Sequence, residues 1–492
     1  MAVSSSLLVV DVGTSGVRSA IVSGDGSVGR VHHETVLPSS PAPGLVEVDA
    51  NRIAEVVCTT AAAALAEVGA VAGVGIANQR ATTIVWDRRS STPVGPALGW
   101  QDLRTVGTCL TLQGQGFRFP PNASATKLAA ILDEVDPGRE RAAEELCFGT
   151  IDTWVAWVLS NGALHVTDPT NAAVTALTDP SGSRWDERVL EVLGIPASML
   201  PRIVDSSGAI GEARALTGAP LLCGMAGDQQ AALVGQGCTR PGLAKATFGT
   251  GGMLDQVTGR SVPGALDRSA GGTFPIVTWR RDGSTFYGVE AMMLSAGSCV
   301  EWLRDDLGVI PDAESSATVA AACQDTGDVW FVPALLGMAT PVWDFGARGA
   351  LFGITRGTGR PEIVRAVLEG VAHRGADLLE AAEADSGRSV GALRVDGGMS
   401  ANPIFIQALA DAIGRPVELS ATLEATTLGA GFLAGMAVGV WRDEDEVADT
   451  YRPASTVEPV RGDADRATQR DRWLEARGRA LRTIPELSAI TF

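Results

Sequence analysis

Lysine is almost absent from this chain: only Lys127 and Lys245 occur among its 39 basic residues, and the others are arginine. We interpret this bias first as a feature of coding and only weakly as chemistry. Acidic residues number 57, so the formal net charge is −18. A surface of this sign repels phosphate backbones and anionic lipid, so we expect neither nucleic acid nor a membrane as a partner.

Several common site motifs are also missing. The sequence Gly-Lys-Ser/Thr does not occur, which excludes the ordinary P-loop nucleotide hydrolases. The seven cysteines are scattered and never spaced Cys-x-x-Cys, a pattern typical of a reducing cytoplasm and of a protein without structural zinc. No histidine adjoins a cysteine or a paired carboxylate at metal-binding spacing, so structural or surface roles are expected for His32, His33, His165 and His373.

Long apolar runs are absent too. The first one, residues 7–10, stops at Asp11 with no basic residue before it, so it is too short for a signal peptide and predicts a strand. The weakly polar stretch over residues 61–77 is interrupted by Glu67 and several glycines, so no bilayer span is expected. We therefore expect a cytoplasmic protein.

The chain of 492 residues, 45% of them hydrophobic, is long enough for two large α/β domains. A strand, a glycine turn and a second strand are predicted at residues 7–23, and this pattern returns over residues 243–258 after Pro241-Gly242. We predict an N-terminal lobe over residues 1–240, a C-terminal lobe over residues 241–455 and a helical tail over residues 456–492. The two lobes are expected to face each other across a cleft.

The periodicity of apolar residues and the start and stop signals predict further elements. Strands are expected near residues 71–77 and 393–395. From Asp443 onward we expect a solvated terminal segment without chemistry. Helices are predicted near residues 51–68 with Asn51 as the cap, 126–134, 150–159, 228–236, 292–307, 361–384 and 402–413.

Three Gly-rich turns, at residues 11–16, 249–252 and 396–400, each follow an apolar strand. Glycine lets backbone N–H groups approach an anion closely, and Thr and Ser hydroxyls add donors, which polyphosphate needs when no Walker lysine is present. One such turn alone is better explained as a hairpin or a βα turn. Three in one chain favour nucleotide binding.

Charged residues near these turns allow two interpretations each. Asp11 is placed to bind Mg²⁺ directly or through water, or it shapes an Asx-turn. Arg18 reaches a phosphate or pairs with a surface carboxylate. Asp228 begins a helix whose positive end keeps it ionised near neutral pH, or it is a routine N-cap. Arg80 is a substrate clamp or a partner in a loop ion pair.

Several segments resemble the FGGY family of carbohydrate kinases, and within it the glycerol kinases. Residues 349–354 followed by residues 362–369 match the C-terminal signature of that family. The resemblance covers nearly the whole chain to about residue 440, and it implies an α/β fold of two actin-like, ribonuclease-H-like lobes. Such lobes close over MgATP and a small polyol or sugar. The other similar segments are residues 78–86, 148–157, 165–171, 226–233, 301–306 and 393–398.

By matched position, the resemblance implies a role for each candidate site residue. Asp228 would be the catalytic base and, with Asp11, would handle the metal. Arg80, Trp100 and Gln229 would contact the acceptor. The nucleotide and its phosphates would be surrounded by Gly13, Thr14, Ser15, Arg18, Thr250, Gly251, Gly297, Val300, Glu301, Gly398 and Asn402.

The chain departs from the glycerol kinases in the implied acceptor pocket. Ala81 stands where they have a glutamate that binds glycerol hydroxyls, Asn122 where they have a tyrosine, and Met253 where they have an aromatic wall residue. The N-terminal family signature is degraded as well, with Ala130 at its tryptophan position. Losing a carboxylate and a phenol removes two hydroxyl partners and opens volume, so we expect a four- or five-carbon polyol or ketose. A glycerol kinase with compensating contacts is the alternative.

Two other classes of protein fit part of the pattern. An actin-like ATPase that acts as a chaperone or in filaments would share the phosphate turns without needing Arg80, Trp100 or Gln229. A catalytically silent sugar sensor is disfavoured by the intact Asp11 and Asp228. A homo-oligomer, dimer or tetramer, is compatible with the kinase hypothesis.

Overall fold

The computed structural model describes residues 5–264 and 268–490 of the protein. Apolar segments rich in β-branched residues form strands, because such side chains pack well on a pleated sheet. The strands are β1 Leu7–Gly13, β2 Gly16–Val22, β3 His32–Thr35, β4 Glu47–Val48, β5 Gly73–Asn78, β6 Ile84–Asp87, β7 Ala97–Leu98, β8 Leu146–Gly149, β9 Val166–Thr167, β10 Arg202–Ile203, β11 Ser207–Glu212, β12 Leu221–Gly227, β13 Ala244–Phe248, β14 Gly252–Gly259, β15 Phe274–Arg281, β16 Ser284–Met293, β17 Trp330–Val332, β18 Ala350–Phe352, β19 Leu393–Asp396, β20 Val417–Leu419 and β21 Ser455–Val457.

Helices cover both faces of the sheet and connect its strands. Three further turns are 3₁₀-helical or π-helical, over Ala197–Met199, Trp302–Asp306 and Gly398–Ala401. The α-helices are α1 Ala50–Val68, α2 Val106–Gln113, α3 Ser124–Val135, α4 Glu140–Glu144, α5 Ile151–Leu159, α6 Pro169–Val174, α7 Glu187–Leu193, α8 Asp228–Gly235, α9 Gly297–Glu301, α10 Ser315–Ala320, α11 Arg360–Ser386, α12 Pro403–Ile413, α13 Ala425–Val438, α14 Glu444–Thr450, α15 Asp463–Ala480 and α16 Pro485–Ser488.

Thirteen strands form one mixed sheet in the order β21-β20-β19-β13-β14-β16-β15-β11-β12-β5-β1-β2-β3. Its two ends are built from the two halves of the chain, which meet where β15 pairs with β11 through Ser207 and Arg281. The central strands β1, β5 and β12 are parallel to one another, as are β13 and β19. The two α/β lobes predicted from the sequence are thus confirmed.

Helix α13 belongs to the second half of the sequence but packs against α8, β12 and β5 of the first. Glycine makes this close helix contact with α8 possible: a Cβ added to Gly429 would lie 1.7 Å from the Ala231 carbonyl oxygen. A Cβ on Gly235 would lie 1.9 Å from the Ala425 carbonyl oxygen. Larger residues would separate the helices, so these glycines fix the position of α8, whose first residue is Asp228.

Two predicted elements were wrong in detail. Asp49, rather than Asn51, caps α1, because its carboxylate accepts hydrogen bonds from the backbone N–H groups of Asn51 at 2.9 Å and Arg52 at 3.1 Å. The helix predicted over residues 292–307 begins only at Gly297. Met292 and Met293 belong instead to β16, where they pair with β14, and this long-range pairing overrides the local helical pattern.

The end of the chain is not the solvated segment that its charge predicted. Trp473 of α15 is fully buried, and its indole N–H donates to Asp377 of α11. Asp377 is also paired with Arg374 at 2.7 Å, Arg470 at 2.7 Å and Arg477 at 3.1 Å. Burial acts to raise the pKa of Asp377, but these three arginines lower it to about 2. No helix in the described part of the chain is long and apolar enough to span a bilayer.

Removing this carboxylate should release α15. We expect Asp377→Ala to destabilise the protein by about 3 to 5 kcal/mol, because it leaves buried guanidinium groups unpaired. Glu380→Ala is the matched control: Glu380 pairs with the same Arg470 but is 59% exposed, so its loss should cost less than about 1 kcal/mol. Thermal unfolding and limited proteolysis of the C-terminal segment measure both effects. Equal stability of the two variants would contradict this assignment.

Candidate active site

The candidate catalytic residues lie where the central parallel strands end. Asn78 at the end of β5 is in register with Val12 of β1 on one side and Gly227 of β12 on the other. Because parallel strands end at the same edge of a sheet, the first Gly-rich turn, Arg80 and Asp228 come together there. The sequence prediction that these three segments share one site is consistent with this arrangement.

Arg80 joins the two halves of the chain at this edge. Its Nε lies 3.7 Å from Asp228, and its Nη2 lies 2.8 Å from Glu290 of β16. Glu290 is buried and Arg80 nearly so. Within the described ranges, Nη1 of Arg80 is buried without a hydrogen-bond partner. Arg80 is therefore held in ion pairs, and one of its donors has no partner within the described part of the protein.

Gly227 makes room for this guanidinium group. A Cβ added there would lie 2.7 Å from both Cγ and Cδ of Arg80 and 2.9 Å from Oε1 of Gln230. Gly227 is the N-cap of α8, and Asp228 is the first helical residue. Asp228 is thus not the N-cap; its carboxylate accepts from the backbone N–H of Gln229 at 2.8 Å.

Sequence reasoning missed the charged side chains that lie beneath this site. Lys245, Asp255 and Glu290 are directly opposed on the adjacent strands β13, β14 and β16. Lys245 is fully buried and lies 3.0 Å from Asp255, a cross-strand ion pair. It also donates to Oε1 of Gln229 at 2.5 Å. The available signal was a single charged residue inside each of the three strands.

Burial raises the pKa values of the acidic groups of the site. It raises the pKa of Asp11 to about 7, with Arg18 opposing and the charge of Asp228 adding to the shift. It also raises the pKa of Asp228, although Arg80 opposes the change. Burial thus opposes the helix end, which was expected to keep Asp228 ionised near neutral pH. Glu290 follows the same rule, and burial raises its pKa to about 7.

The first Gly-rich turn contacts the predicted acceptor side. The indole N–H of Trp100 donates to Oγ1 of Thr14 at 3.3 Å, and the ring is 37% exposed. Gly13 is partly exposed and Ser15 is exposed. Arg18 is exposed and lies 4.0 Å from Glu424.

The second and third Gly-rich turns lie side by side, because β13 and β19 are parallel neighbours. A Cβ on Gly397 would lie 2.4 Å from the Phe248 carbonyl oxygen, so only glycine fits there. The start of α9 joins them, since the N–H of Gly297 donates to the carbonyl of Gly249 at 2.8 Å. Gly251 packs against the backbone of β16, and Thr250 is exposed.

The remaining residues predicted to contact the nucleotide differ in their exposure and in the hydrogen bonds that they already make. The space beside Gly398 is open, and Glu301 is exposed. Val300 is buried in the apolar core of the C-terminal half. Asn402 caps α12 through its side-chain oxygen, while its amide nitrogen donates to Ser316 at 2.9 Å.

The predicted acceptor-pocket residues occupy different environments. Ala81 is buried and has a left-handed backbone with φ of 61°. Its carbonyl accepts from the hydroxyl of Ser124 at 3.1 Å. Asn122 is exposed, and Met253 is partly exposed in β14 opposite Met292.

Solved structures with this fold include sugar and polyol kinases. A Plasmodium falciparum glycerol kinase, crystallised with ADP, superposes with a TM-score of 0.90 at 27% identity, covering 99% of each chain. The xylulose kinase of Lactobacillus acidophilus shares the fold with a TM-score of 0.84 at 20% identity, covering 96% of this chain and 98% of that one.

Sequence comparison identifies the family. Residues 6–235 match the N-terminal domain, and residues 244–438 the C-terminal domain, of the FGGY family of carbohydrate kinases. The chain is 42% identical to a glycerol kinase of Dechloromonas aromatica, covering 96% of this chain and 97% of that one. It is 39% identical to glycerol kinase 2 of Thermotoga maritima, covering 96% and 98%. The protein therefore belongs to the FGGY carbohydrate kinases, phosphotransferases with an alcohol acceptor, and the ATPase and sensor alternatives are disfavoured.

The role of Gly227 in positioning the Arg80 side chain can be tested with a small substitution. Gly227→Ala should displace the guanidinium group and lower kcat/KM by about 10- to 100-fold, because misplacements of about 1 Å have effects of this size. Gly391→Ala is the matched control, since no atom lies within 4 Å of its added Cβ. Steady-state kinetics of both variants measure the difference. If Gly227→Ala has the activity of the control, Gly227 does not position Arg80.

Proposed function

We propose that the protein transfers the γ-phosphoryl group of ATP to a terminal hydroxyl of a small polyol, with Asp228 as the general base. One observation carries the proposal: Asp228 lies at the strand edge between Arg80, which keeps a free buried donor, and the first Gly-rich turn. A base and an orienting cation beside a phosphate-binding turn are the groups that in-line phosphoryl transfer requires.

The Gly-rich turns supply the nucleotide side. Their backbone N–H groups and the hydroxyls of Thr14 and Thr250 are donors for phosphate oxygens. Gly398 leaves open space on the C-terminal side. These features support ATP as the donor.

The donor set also fits Mg²⁺. Asp11 is buried, and the charge of Asp228 raises its pKa, so two carboxylates lie near each other in need of a counter-charge. Magnesium is bound by one or two carboxylates plus water and phosphate oxygens. Among the described residues no cluster of three or more His, Cys, Asp or Glu forms a closed metal site. When bound, the cation would neutralise charge on the transferred phosphoryl group.

The chain's own side chains perform the acceptor chemistry. Nη1 of Arg80 and the amide of Gln229 bind and orient the hydroxyls of the acceptor, and Trp100 forms an apolar wall. Asp228 accepts the proton of the attacking hydroxyl. A raised pKa makes a carboxylate a better proton acceptor, provided that it remains ionised at the working pH. Enclosure between the lobes excludes water, which limits hydrolysis of ATP.

Glycerol is the first candidate acceptor. The relatives that cover nearly the whole chain at 39% to 42% identity are glycerol kinases. Those comparisons favour glycerol over the longer acceptor that the pocket residues predicted.

A four- or five-carbon polyol or ketose is the second candidate. It is favoured by two residues, the small buried Ala81 and the exposed Asn122, at positions where the family resemblance implies hydroxyl-binding groups in glycerol kinases. A site that lacks hydroxyl partners discriminates weakly against longer substrates.

The base is tested by Asp228→Asn, which keeps the size of the side chain and removes its basicity. We expect turnover to fall by about 10²- to 10⁴-fold, while ATP binding measured by calorimetry is retained. Turnover close to that of the wild type would exclude Asp228 as the base.

The acceptor is tested by ADP release across C3 to C7 polyols and ketoses, with wild type and Ala81→Glu compared. Ala81 already has a left-handed backbone, so alanine and glutamate pay a similar conformational cost there. If the longer acceptor is correct, Ala81→Glu should lower kcat/KM for it and raise kcat/KM for glycerol. Strong preference of the wild type for glycerol would exclude the second candidate.

A further inference from the structure

Both lysines of the chain are fully buried beside the candidate acceptor site. Lysine is almost never fully buried unless its charge is paired or hydrogen-bonded. Coding bias accounts for arginine at the other basic positions, but it does not account for lysine at these two. Their surroundings supply a physical reason.

Lys127 of α3 binds three backbone carbonyls. Its Nζ donates to the carbonyl oxygens of Gly99 at 2.7 Å, Trp100 at 3.0 Å and Asn122 at 3.2 Å. These carbonyls belong to two separate segments, which carry the predicted acceptor residues Trp100 and Asn122. One ammonium group therefore connects the two segments that carry Trp100 and Asn122.

Lys245 of β13 has three partners as well. Its Nζ lies 3.0 Å from Asp255, 2.5 Å from Oε1 of Gln229 and 3.1 Å from Oγ1 of Thr247. Because Lys245 binds the oxygen of the Gln229 amide, the NH₂ group of that amide remains for an acceptor hydroxyl. Gln229 directly follows Asp228, so Lys245 fixes the neighbour of the base.

An ammonium group has three donors, and both lysines use all three. A guanidinium group has five donors in one plane, and it cannot direct them at three acceptors around a point. Two arginines show the consequence: in the part of the chain that the structure describes, the Nε atoms of Arg374 and Arg477 are buried without a hydrogen-bond partner. Arginine at either lysine position would leave further buried donors unpaired.

We propose that Lys127 and Lys245 are positioning residues for the acceptor: Lys127 fixes the segments of Trp100 and Asn122, and Lys245 orients Gln229 beside Asp228. This inference rests on the proposed function, which identifies that side of the cleft as the acceptor site. It assigns no role to either lysine in binding the nucleotide.

Substitution of the lysines separates acceptor binding from nucleotide binding. For Lys127→Met, Lys127→Arg and Lys245→Arg we expect the acceptor KM to rise about 10-fold or more, because the pocket walls lose their fixed geometry. The KM for ATP should change by less than about 2-fold, because neither lysine is proposed to bind the nucleotide. A smaller folded fraction would lower the maximal rate but would alter neither KM. Arg470→Met is the control: Arg470 is also buried and donates to the carbonyl of His373, but it lies between α15 and α11. It should lower the melting temperature and leave both KM values unchanged.

A second measurement uses the wild type and does not depend on a variant that folds. Burial lowers the pKa of Lys127 to about 8, with nearby Asp102 and Cys109 opposing and Arg104 adding to the shift. Against the effect of burial, hydrogen bonds and the ion pair between Asp102 and Arg104 lower the pKa of Asp102 and raise that of Arg104. Burial raises the pKa of Cys109. Near pH 8, Lys127 is therefore the member of this group that titrates. Above pH 8 it loses a donor, so the acceptor KM should rise several-fold towards pH 9.5 while the KM for ATP stays constant.

The outcomes separate the positioning role of the lysines from the proposed kinase function. Folded Lys127→Arg and Lys245→Arg enzymes with the wild-type acceptor KM, or a wild-type acceptor KM that is flat above pH 8, would overturn the positioning role alone. Equal changes in the KM for ATP and for the acceptor would also overturn it. A wild type that phosphorylates no polyol or sugar would overturn the proposed function itself.

Discussion

A buried group of charges connects the two halves of the protein, and the site depends on it. Arg80 from the edge of β5 pairs with Glu290 of β16, and Lys245 of β13 pairs with Asp255 of β14. Asp228 lies beside this group at 3.7 Å from Arg80. Removing one partner of such a cluster leaves an uncompensated buried charge, so the placement of one lobe relative to the other is linked to the geometry around Asp228.

Small residues allow this cluster to form. Gly227 leaves space for the side chain of Arg80, and Gly235 and Gly429 allow α13 to lie against α8. Asp228, the proposed base, therefore lies on a helix whose position is fixed by backbone contact rather than by long side chains. Such a platform is suited to catalysis, because a base must be placed to within a fraction of an ångström.

Much of the fold followed from sequence patterns that are local. The hairpin from β1 to β2, the repeated hairpin at β13 and β14 and the long helix α11 were all predicted, since each is encoded by contiguous apolar and glycine residues. The family resemblance located Asp11, Arg80 and Asp228, which no single motif would have distinguished from ordinary turns. Family membership is confirmed, whereas the individual roles of these residues stay predictions.

The errors and omissions concern contacts between distant segments. Met292 and Met293 looked helical in isolation but pair with β14, and the charged tail is buried through Trp473. Glu290 was missed because its partner Arg80 lies far away in the sequence, and Asp255 because its pairing with Lys245 depends on the register of the hairpin β13–β14. No role was predicted for Lys127 and Lys245 from the residues themselves, because their hydrogen-bond partners become visible only in three dimensions.

The central claim, that Asp228 is the base beside the acceptor, is tested most directly by a crystal structure with a non-hydrolysable ATP analogue and the best acceptor from the screen. We expect a terminal hydroxyl of the acceptor about 2.6 to 3.2 Å from the Asp228 carboxylate, with Nη1 of Arg80 on a second hydroxyl. An acceptor bound away from Asp228, with the phosphates outside the Gly-rich turns, would contradict it.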